Sequence, residues 1–226
     1  MDRAIWTDDI KNIWHHAVLP VELAFDAINQ YSKTDLTVAP TLLLEFHGTD
    51  QGVKEQAEIV QEIAVDSGGS NFQWTTNTEE RNRLWQARHD AAYACKALRP
   101  GGEIWATDVC VPISRLAECI RETQQDIRDF GLFAPIVGHV GDGNFHLCLL
   151  VGKDDPAESK KANELHERMV MRALGMGGTC TGEHGVGYGK LDFLVAEHGE
   201  AISVMRSIKQ ALDPDNIMNP GKVLRV

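Results

Sequence analysis

The chain contains 226 residues with a formal net charge of −11; 43% of them are hydrophobic and 24% are charged, as in ordinary globular proteins. The negative charge argues against a nucleic-acid partner, but one arginine in a pocket is enough to bind a small anion. No apolar run approaches the roughly 20 residues that span a bilayer, and the charged first twenty residues are not typical of a signal peptide, so we expect an intracellular protein.

The first half of the chain predicts helices that alternate with short strands. Residues 1–16 lack clear periodicity, although Trp6, Ile10 and Trp14 could form a short apolar helical face. Apolar spacing, N-cap residues and Gly or Pro breaks define the elements that follow. They are a helix over residues 20–31, a strand over 41–48, a helix over 51–66, a short strand over 72–75 and a long helix over 77–98 with Thr78 as its N-cap.

The second half predicts a sheet and four more helices. Its elements are a strand over residues 103–111, a helix from Ser114 to Phe130 ended by Gly131, strands over 135–139 and 144–151, helices over 154–174, 189–198 and onward to 212, and a turn-rich tail over 213–222. This order predicts an α+β fold, in which one antiparallel sheet has helices packed on one face and a small helical segment ends the chain.

The cysteines are odd in number and scattered, and no C-x-x-C occurs, which is typical of free thiols in a reducing compartment. Most are expected to fill the core. Cys180 lies three residues before Glu183, so a thiolate metal ligand at this position is an alternative.

Two histidines flank a predicted turn. His139 ends one strand, His146 lies early in the next, and Gly141-Asp142-Gly143 separates them. On a straight strand their side chains would point to opposite faces, but a hairpin can direct both imidazoles to one point. Imidazole is a common metal ligand, so the pair predicts a metal site, although one buried and one solvated histidine is the simpler alternative.

A glycine-rich segment, Thr179 to Gly189, carries Glu183 and His184. A carboxylate beside two imidazoles completes a facial triad, which leaves coordination positions open for catalysis. In an extended backbone the side chains of Glu183 and His184 would point in opposite directions, one to the metal and one to a substrate. A loop with a solvated charged pair is the alternative.

Arg88 lies on the apolar stripe of the long predicted helix, where a guanidinium could bind a carboxylate in bidentate geometry. Arg99 and Lys190 are weaker candidates for this role, and Arg88 could instead extend to solvent. The chain has no dinucleotide-binding G-x-G-x-x-G in a strand–helix context, no Walker loop and no G-x-S-x-G elbow.

The sequence resembles the C-terminal half of FAD-linked D-2-hydroxy-acid dehydrogenases of the vanillyl-alcohol-oxidase type, and most closely their cytochrome-type D-lactate dehydrogenase branch. The segments that carry this resemblance run from about residue 20 to the end. They are APTLLLEFHG (39–48), RLWQARHDAAYA (83–94), TDVCVPISRL (107–116), IVGHVGDGNFH (136–146), GTCTGEHGVGYGK (178–190) and ALDPDNIMNPGKVL (211–224).

The resemblance implies a role for each matching residue. A divalent metal would be held by His139, His146 and Glu183, and zinc, manganese and iron all suit these ligands. His184 would be the catalytic base and Arg88 would hold the substrate carboxylate. The stretch that returns to the flavin would contain the residues Asn219, Gly221 and Lys222.

Three positions differ from relatives in the hydroxyglutarate branch. Ala92 and Ala106 stand where that branch has a threonine and a lysine that hold a distal carboxylate, and Cys148 replaces an asparagine. The resemblance therefore favours a short substrate such as D-lactate over a dicarboxylate.

The resemblance also implies a domain organisation. Residues 1–19 would be an extension and residues 20–226 would be the substrate and cap domain. The family's FAD-binding half would not be included, so the chain would be an excised piece, a fragment or one subunit of a split enzyme.

The implied partners are a 2-hydroxy acid, a flavin-binding domain and an electron acceptor such as a cytochrome or quinone. The implied location is the bacterial cytoplasm, with a peripheral position at the inner membrane as an alternative, or the mitochondrion in a eukaryote. The alternatives are a non-catalytic metal-bearing module that docks on a flavoprotein, and a metallohydrolase.

Overall fold

The computed structural model describes residues 16–18, 22–35 and 38–226, and the apolar face predicted within residues 1–15 lies outside this part. The described part contains one antiparallel sheet and helices, which confirms the predicted α+β class. The strands are β1 (His16–Val18), β2 (Leu43–Glu45), β3 (Gly102–Ala106), β4 (Val109–Cys110), β5 (Ile136–His139) and β6 (Asn144–Gly152). The helices are α1 (Glu22–Ser32), α2 (Asp50–Asp66), α3 (Thr78–His89), α4 (Ala91–Ala97), α5 (Ile113–Phe130), α6 (Pro156–Gly175), α7 (Leu191–His198) and α8 (Ala201–Leu212).

Strand β6 is the longest strand of the sheet. The strand order is β2-β1-β5-β6-β3, and β4 pairs with β6 beyond the end of β3. Strands β5 and β6 form the predicted hairpin, in which His139 is opposite Asn144 and Val137 is opposite His146. Every pairing is antiparallel. Strand β6 pairs with β5 on one side and with β3 and β4 on the other, so the strand that carries His146 lies inside the sheet.

The two faces of β6 pack against different helices. Leu147, Leu149 and Val151 alternate on one face and belong to a buried cluster that includes residues of α5 and α6. Burial of one such leucine contributes about 1.5–3 kcal/mol. On the other face Cys148 packs with Cys95 of α4, and α4 in turn packs against α1. His146 lies on the same face as Cys148, two residues earlier.

A buried ion pair joins α5 to α6. The guanidinium of Arg172 bonds to the carboxylate of Asp126 and donates to Thr123 Oγ1 at 2.9 Å. Arg168 Nε lies 3.1 Å from the second oxygen of Asp126. Removal of one partner would leave a buried charge, so we expect the loss of either side chain to lower the stability of the fold.

The predicted helix over 77–98 is wrong in one detail, because Asp90 divides it into α3 and α4. The Asp90 side chain accepts hydrogen bonds from Gln86 in α3 and from Ser32 in α1. The break itself is in the backbone: Asp90 is the C-cap of α3 with φ −76° and ψ −8°, and this ψ departs from the regular helical value. The N-cap of α3 is Asn77 and not Thr78: its side-chain oxygen accepts the N–H groups of Glu79 and Glu80. Ser114 likewise lies inside α5, whose N-cap is Pro112.

The predicted strand over 103–111 is interrupted at Thr107 and Asp108. The Thr107 hydroxyl accepts the N–H of Leu147 at 2.8 Å, a bond that a strand carbonyl would otherwise accept. The short strand predicted over residues 72–75 is absent from the described structure, where these residues are irregular. Within the described residues, no helix is long and apolar enough to cross a membrane.

Candidate metal and proton-transfer site

The β5–β6 hairpin brings His139 and His146 to one face of the sheet. Because Val137 is opposite His146, and His139 follows Val137 by two residues, both imidazoles share that face. Their ring centroids lie 6.0 Å apart. The turn depends on Gly143, whose φ is +77° and where a Cβ would lie 2.0 Å from the Val111 carbonyl oxygen. The hairpin geometry inferred from the sequence is therefore present.

The first residues of the glycine-rich segment form hydrogen bonds with the sheet beside the hairpin. Thr179 and Cys110 exchange backbone hydrogen bonds of 2.8 and 3.3 Å, which extends the β4 edge. Glu197 of α7 accepts the N–H of Cys180 at 2.9 Å and the hydroxyl of Thr179 at 3.1 Å. The segment therefore enters the site from a fixed position.

The Glu183 carboxylate lies among three imidazoles. Its Oε1 is 2.8 Å from His146 Nε2, 3.7 Å from His139 Nε2 and 3.7 Å from His184 Nε2. The His184 ring stacks on the His146 ring with centroids 4.7 Å apart. The side chains of Glu183 and His184 thus come together, contrary to the prediction from an extended backbone, because the loop is bent at these residues.

The donor atoms of His139, His146 and Glu183 fit a divalent cation. His146 Nδ1 lies 2.9 Å from the Thr107 carbonyl, which can only accept, so Nδ1 carries the proton and Nε2 presents a lone pair. The buried Nε2 has no hydrogen-bond donor, although Glu183 Oε1 is 2.8 Å away. Ligating atoms of the three residues lie within 4.8 Å of one another. Zinc bonds of about 2.1 Å require a similar convergence.

Burial also favours the neutral form of His146. It lowers the pKa of His146 below the usual value, although the hydrogen bond to Thr107 partly opposes this effect. The ring is therefore neutral near pH 7, as a metal ligand must be. A lone pair that faces a carboxylate at short range needs a cation or a shared proton between them.

Arg88 reaches the same site from α3. Its Nη2 lies 3.1 Å from His139 Nε2, and a guanidinium can only donate, so the lone pair of this imidazole nitrogen accepts from Arg88. A cation bound to His139 would take the place of this hydrogen bond. The two weaker candidates bond to other groups of the protein. Arg99 bonds to Glu158 and to the Leu150 carbonyl, and Lys190 bonds to Asp108.

The sequence interpretation missed Asp108, which lies behind the site with no side-chain exposure. Its carboxylate accepts hydrogen bonds from Thr181, His184, Lys190 and Asn144, among others. Burial would raise the pKa of Asp108, but these bonds outweigh burial and hold the pKa well below its usual range. A carboxylate inside an otherwise apolar strand was the signal that could have found it.

Comparison with known proteins identifies the family. The family described as FAD linked oxidases, C-terminal domain, matches residues 20–223. The chain belongs to this family. Membership implies FAD as the cofactor of the proteins that contain this domain.

Curated relatives of this FAD-linked oxidase domain include dehydrogenases. It is 49% identical over 206 residues to "Probable D-lactate dehydrogenase, mitochondrial" of Danio rerio, covering 91% of the chain and 41% of the relative. It is 45% identical over 204 residues to "D-lactate dehydrogenase [cytochrome], mitochondrial" of Arabidopsis thaliana, covering 90% and 36%. The chain therefore spans about two fifths of the length of these relatives.

Solved structures support the fold of the domain. A 4-ethylphenol oxidase from Gulosibacter chungangensis matches with a TM-score of 0.70 at 16% identity, covering 92% of this chain and 47% of the other. p-Cresol methylhydroxylase matches with a TM-score of 0.59 at 16% identity, covering 92% and 46%. At this identity the likeness concerns the fold alone.

The C-terminal tail of the oxidase domain lies on the glycine-rich segment. Val223 donates its N–H to the Gly187 carbonyl at 2.8 Å, and the Lys222 ammonium lies 5.4 Å from the centre of the Tyr188 ring. Lys222 also donates to Asn219 Oδ1 at 3.3 Å. The predicted flavin-contacting residues thus adjoin the segment that carries Glu183 and His184, and their contact with flavin stays a prediction.

Cys180 does not lie among the metal-ligating atoms of the described site. Its side chain is fully buried in the core cluster of α5 and α6. Burial raises the pKa of Cys180 to about 12, so the thiol stays protonated at neutral pH. The structure therefore favours the core role over the thiolate alternative. All five cysteines are free of disulfides, as predicted.

Gly182 allows the loop to approach Asp108, and we expect Gly182→Ala to weaken divalent-metal binding about tenfold or more. A Cβ at this position would lie 2.0 Å from Asn144 Nδ2 and 3.0 Å from Asp108 Oδ1, so the loop must shift. Isothermal titration of zinc measures the affinity. The matched control is Gly189→Ala, in the same segment, where a Cβ meets no atom within 4 Å. Equal zinc affinity of both variants would contradict the expectation.

Proposed function

We propose that this chain is the substrate- and metal-binding part of an FAD-dependent D-2-hydroxy-acid dehydrogenase that oxidises D-lactate or a similar short acid to the 2-oxo acid. The observation that carries the proposal is the convergence of lone pairs from His139, His146 and Glu183, with Arg88 3.1 Å from one of them. The names of the Danio rerio and Arabidopsis thaliana relatives agree with this substrate and favour a mitochondrial location over the bacterial cytoplasm.

Each charged group has a separate task in the proposed reaction. Arg88 binds the substrate carboxylate and so orients the α-carbon. Bound at His139, His146 and Glu183, a divalent cation would acidify the substrate hydroxyl, and the flavin would accept the hydride. His184 accepts the hydroxyl proton at an imidazole nitrogen, as its position against His146 allows.

The residues around the site favour a short substrate. Ala106 is opposite Cys148 in the sheet and therefore lies on the face that carries His146. Ala92 and Ala106 are both exposed, and neither methyl group can bind a second carboxylate. D-lactate is accordingly proposed to react faster than D-2-hydroxyglutarate.

Two further parts of the assembly belong to the proposal. Residues 1–19 are assigned to an extension and 20–226 to the substrate domain, while the flavin is held mainly by a separate flavin-binding domain. Asn219, Gly221 and Lys222 are assigned to the side that meets the flavin. An electron acceptor such as a cytochrome or a quinone then reoxidises it.

Arg88→Met tests the proposed carboxylate contact. We expect the KM for D-lactate to rise roughly 10–100-fold, because a hydrogen bond to a charged group contributes about 1.5–3 kcal/mol. The assay follows flavin reduction by this chain fused to the flavin-binding half that the resemblance places ahead of it. Arg83→Met, an exposed residue of the same helix, is the control. The proposal fails if Arg88→Met and Arg83→Met have the same KM.

A further inference from the structure

Asp108 binds the backbone of the loop that carries two of the proposed functional residues. Its Oδ2 accepts the N–H of Gly182 at 2.9 Å, of Glu183 at 3.2 Å and of His184 at 3.0 Å. The Thr181 hydroxyl donates to the same oxygen at 2.8 Å. Three successive N–H groups that point at one anion force the chain to curve around it.

The carboxylate is too fully hydrogen-bonded to serve as a metal ligand itself. Asp108, His146 and His184 form a second group whose atoms lie close enough for a cation. Lys190 donates its ammonium to Oδ2 at 3.0 Å, and Asn144 donates to Oδ1 at 2.7 Å. His146 Nδ1 is 3.8 Å from Oδ1 and bonds instead to the Thr107 carbonyl. Asp108 therefore acts through the loop and not on the cation.

The groups that donate to the Asp108 carboxylate come from distant parts of the chain, so this one side chain connects several elements. Asn144 begins β6, Lys190 precedes α7, and Thr181 to His184 lie in the glycine-rich segment. Lys190, itself buried, compensates the charge and also donates to the Asp108 carbonyl at 3.0 Å. Gly182 lies so close to Asn144 and Asp108 that no side chain fits there.

We propose that Asp108 is a positioning residue that holds Glu183 toward His139 and His146 and, through the next peptide, holds His184 beside His146. The bent loop places Glu183 Oε1 2.8 Å from His146 Nε2. Without a buried anion, the three N–H groups lose their common acceptor and the loop has no reason to keep this bend. The inference rests on the proposed metal site, since it concerns the placement of one of its ligands.

Asp108→Asn replaces one acceptor oxygen by an amide NH₂ that faces Lys190 and the loop N–H groups. We expect zinc and cobalt affinity of the 226-residue chain to fall roughly 10–100-fold, the effect typical of residues that orient metal ligands. Asp126→Asn is the control: it removes an equally buried carboxylate that pairs with Arg172 between α5 and α6. The control should lower stability against urea and leave metal affinity unchanged.

If Asp108→Asn does not fold, a second pair of variants tests the positioning role of Asp108. Thr181→Val removes a single donor to Asp108, and Thr181→Ser restores the hydroxyl. We expect about tenfold weaker metal binding for the valine variant and wild-type affinity for the serine variant. A purely structural role would not give this rescue.

The outcomes separate this inference from the proposed function. If the wild-type chain binds neither zinc nor cobalt, the metal site itself is wrong and the inference falls with it. If the wild-type chain binds metal and Asp108→Asn, or Thr181→Val in its place, binds it equally well, only the positioning role is overturned.

Discussion

His184→Ala is expected to slow single-turnover flavin reduction by D-lactate roughly 10²–10⁴-fold, the usual contribution of a general base. The imidazole stacks on His146, a proposed metal ligand, with ring centres 4.7 Å apart, and its Nε2 is 3.7 Å from Glu183 Oε1. A proton released from a metal-bound hydroxyl would be within reach of this ring. The measurement is stopped-flow bleaching of the flavin in this chain fused to the proposed flavin-binding domain.

The control for that experiment is His198→Ala. His198 is a partly exposed histidine at the end of α7 and is not among the imidazoles of the site. The rate of flavin reduction in the His198→Ala variant should match that of the wild type. Metal affinity of His184→Ala should also stay within about tenfold of wild type, because His184 is not assigned as a ligand. A rate for His184→Ala close to that of the control would remove it from the mechanism.

Glu183→Gln should weaken zinc binding by more than the roughly 10–100-fold that loss of an orienting residue costs, because Glu183 is proposed to bind the cation directly. The amide keeps the shape of the side chain but cannot supply the negative charge that faces two imidazole lone pairs. Competition titration against a chromophoric chelator measures the affinity. Flavin reduction should fall in parallel.

Glu167→Gln is the control for this second experiment. It changes the net charge by the same amount on an exposed position of α6, away from the hairpin. If both variants bind zinc as the wild type does, Glu183 is not a ligand, and the proximity of its carboxylate to His146 has another cause.

The sequence was sufficient for the hairpin and for the residues that meet there. A Gly-Asp-Gly turn between two apolar strands fixes the register, and the register puts His139 and His146 on one face. The antiparallel sheet and the helix ends at Gly131 and after Leu212 were also predictable from local signals. Whether these residues bind a metal stays a prediction.

Features that depend on distant contacts were not predictable from local patterns. The long helix is divided at Asp90, whose side chain accepts a hydrogen bond from Ser32 of another helix. The strand break at Thr107 arises from a hydroxyl that replaces a carbonyl in the sheet. Asp108 is surrounded by donors that follow it by more than 70 residues, such as His184 and Lys190. Local strand or helix propensities contain no information about such distant partners.

The central claim is that two imidazoles from a hairpin and one carboxylate from a distant loop hold a single cation. Titration of the purified wild-type chain with cobalt tests it most directly, because the visible spectrum reports both stoichiometry and ligand set. We expect one cobalt per chain in a site with imidazole and carboxylate ligands, and loss of that spectrum in His146→Ala. A wild-type chain that binds no cobalt, or binds it equally well without His146, would contradict the account.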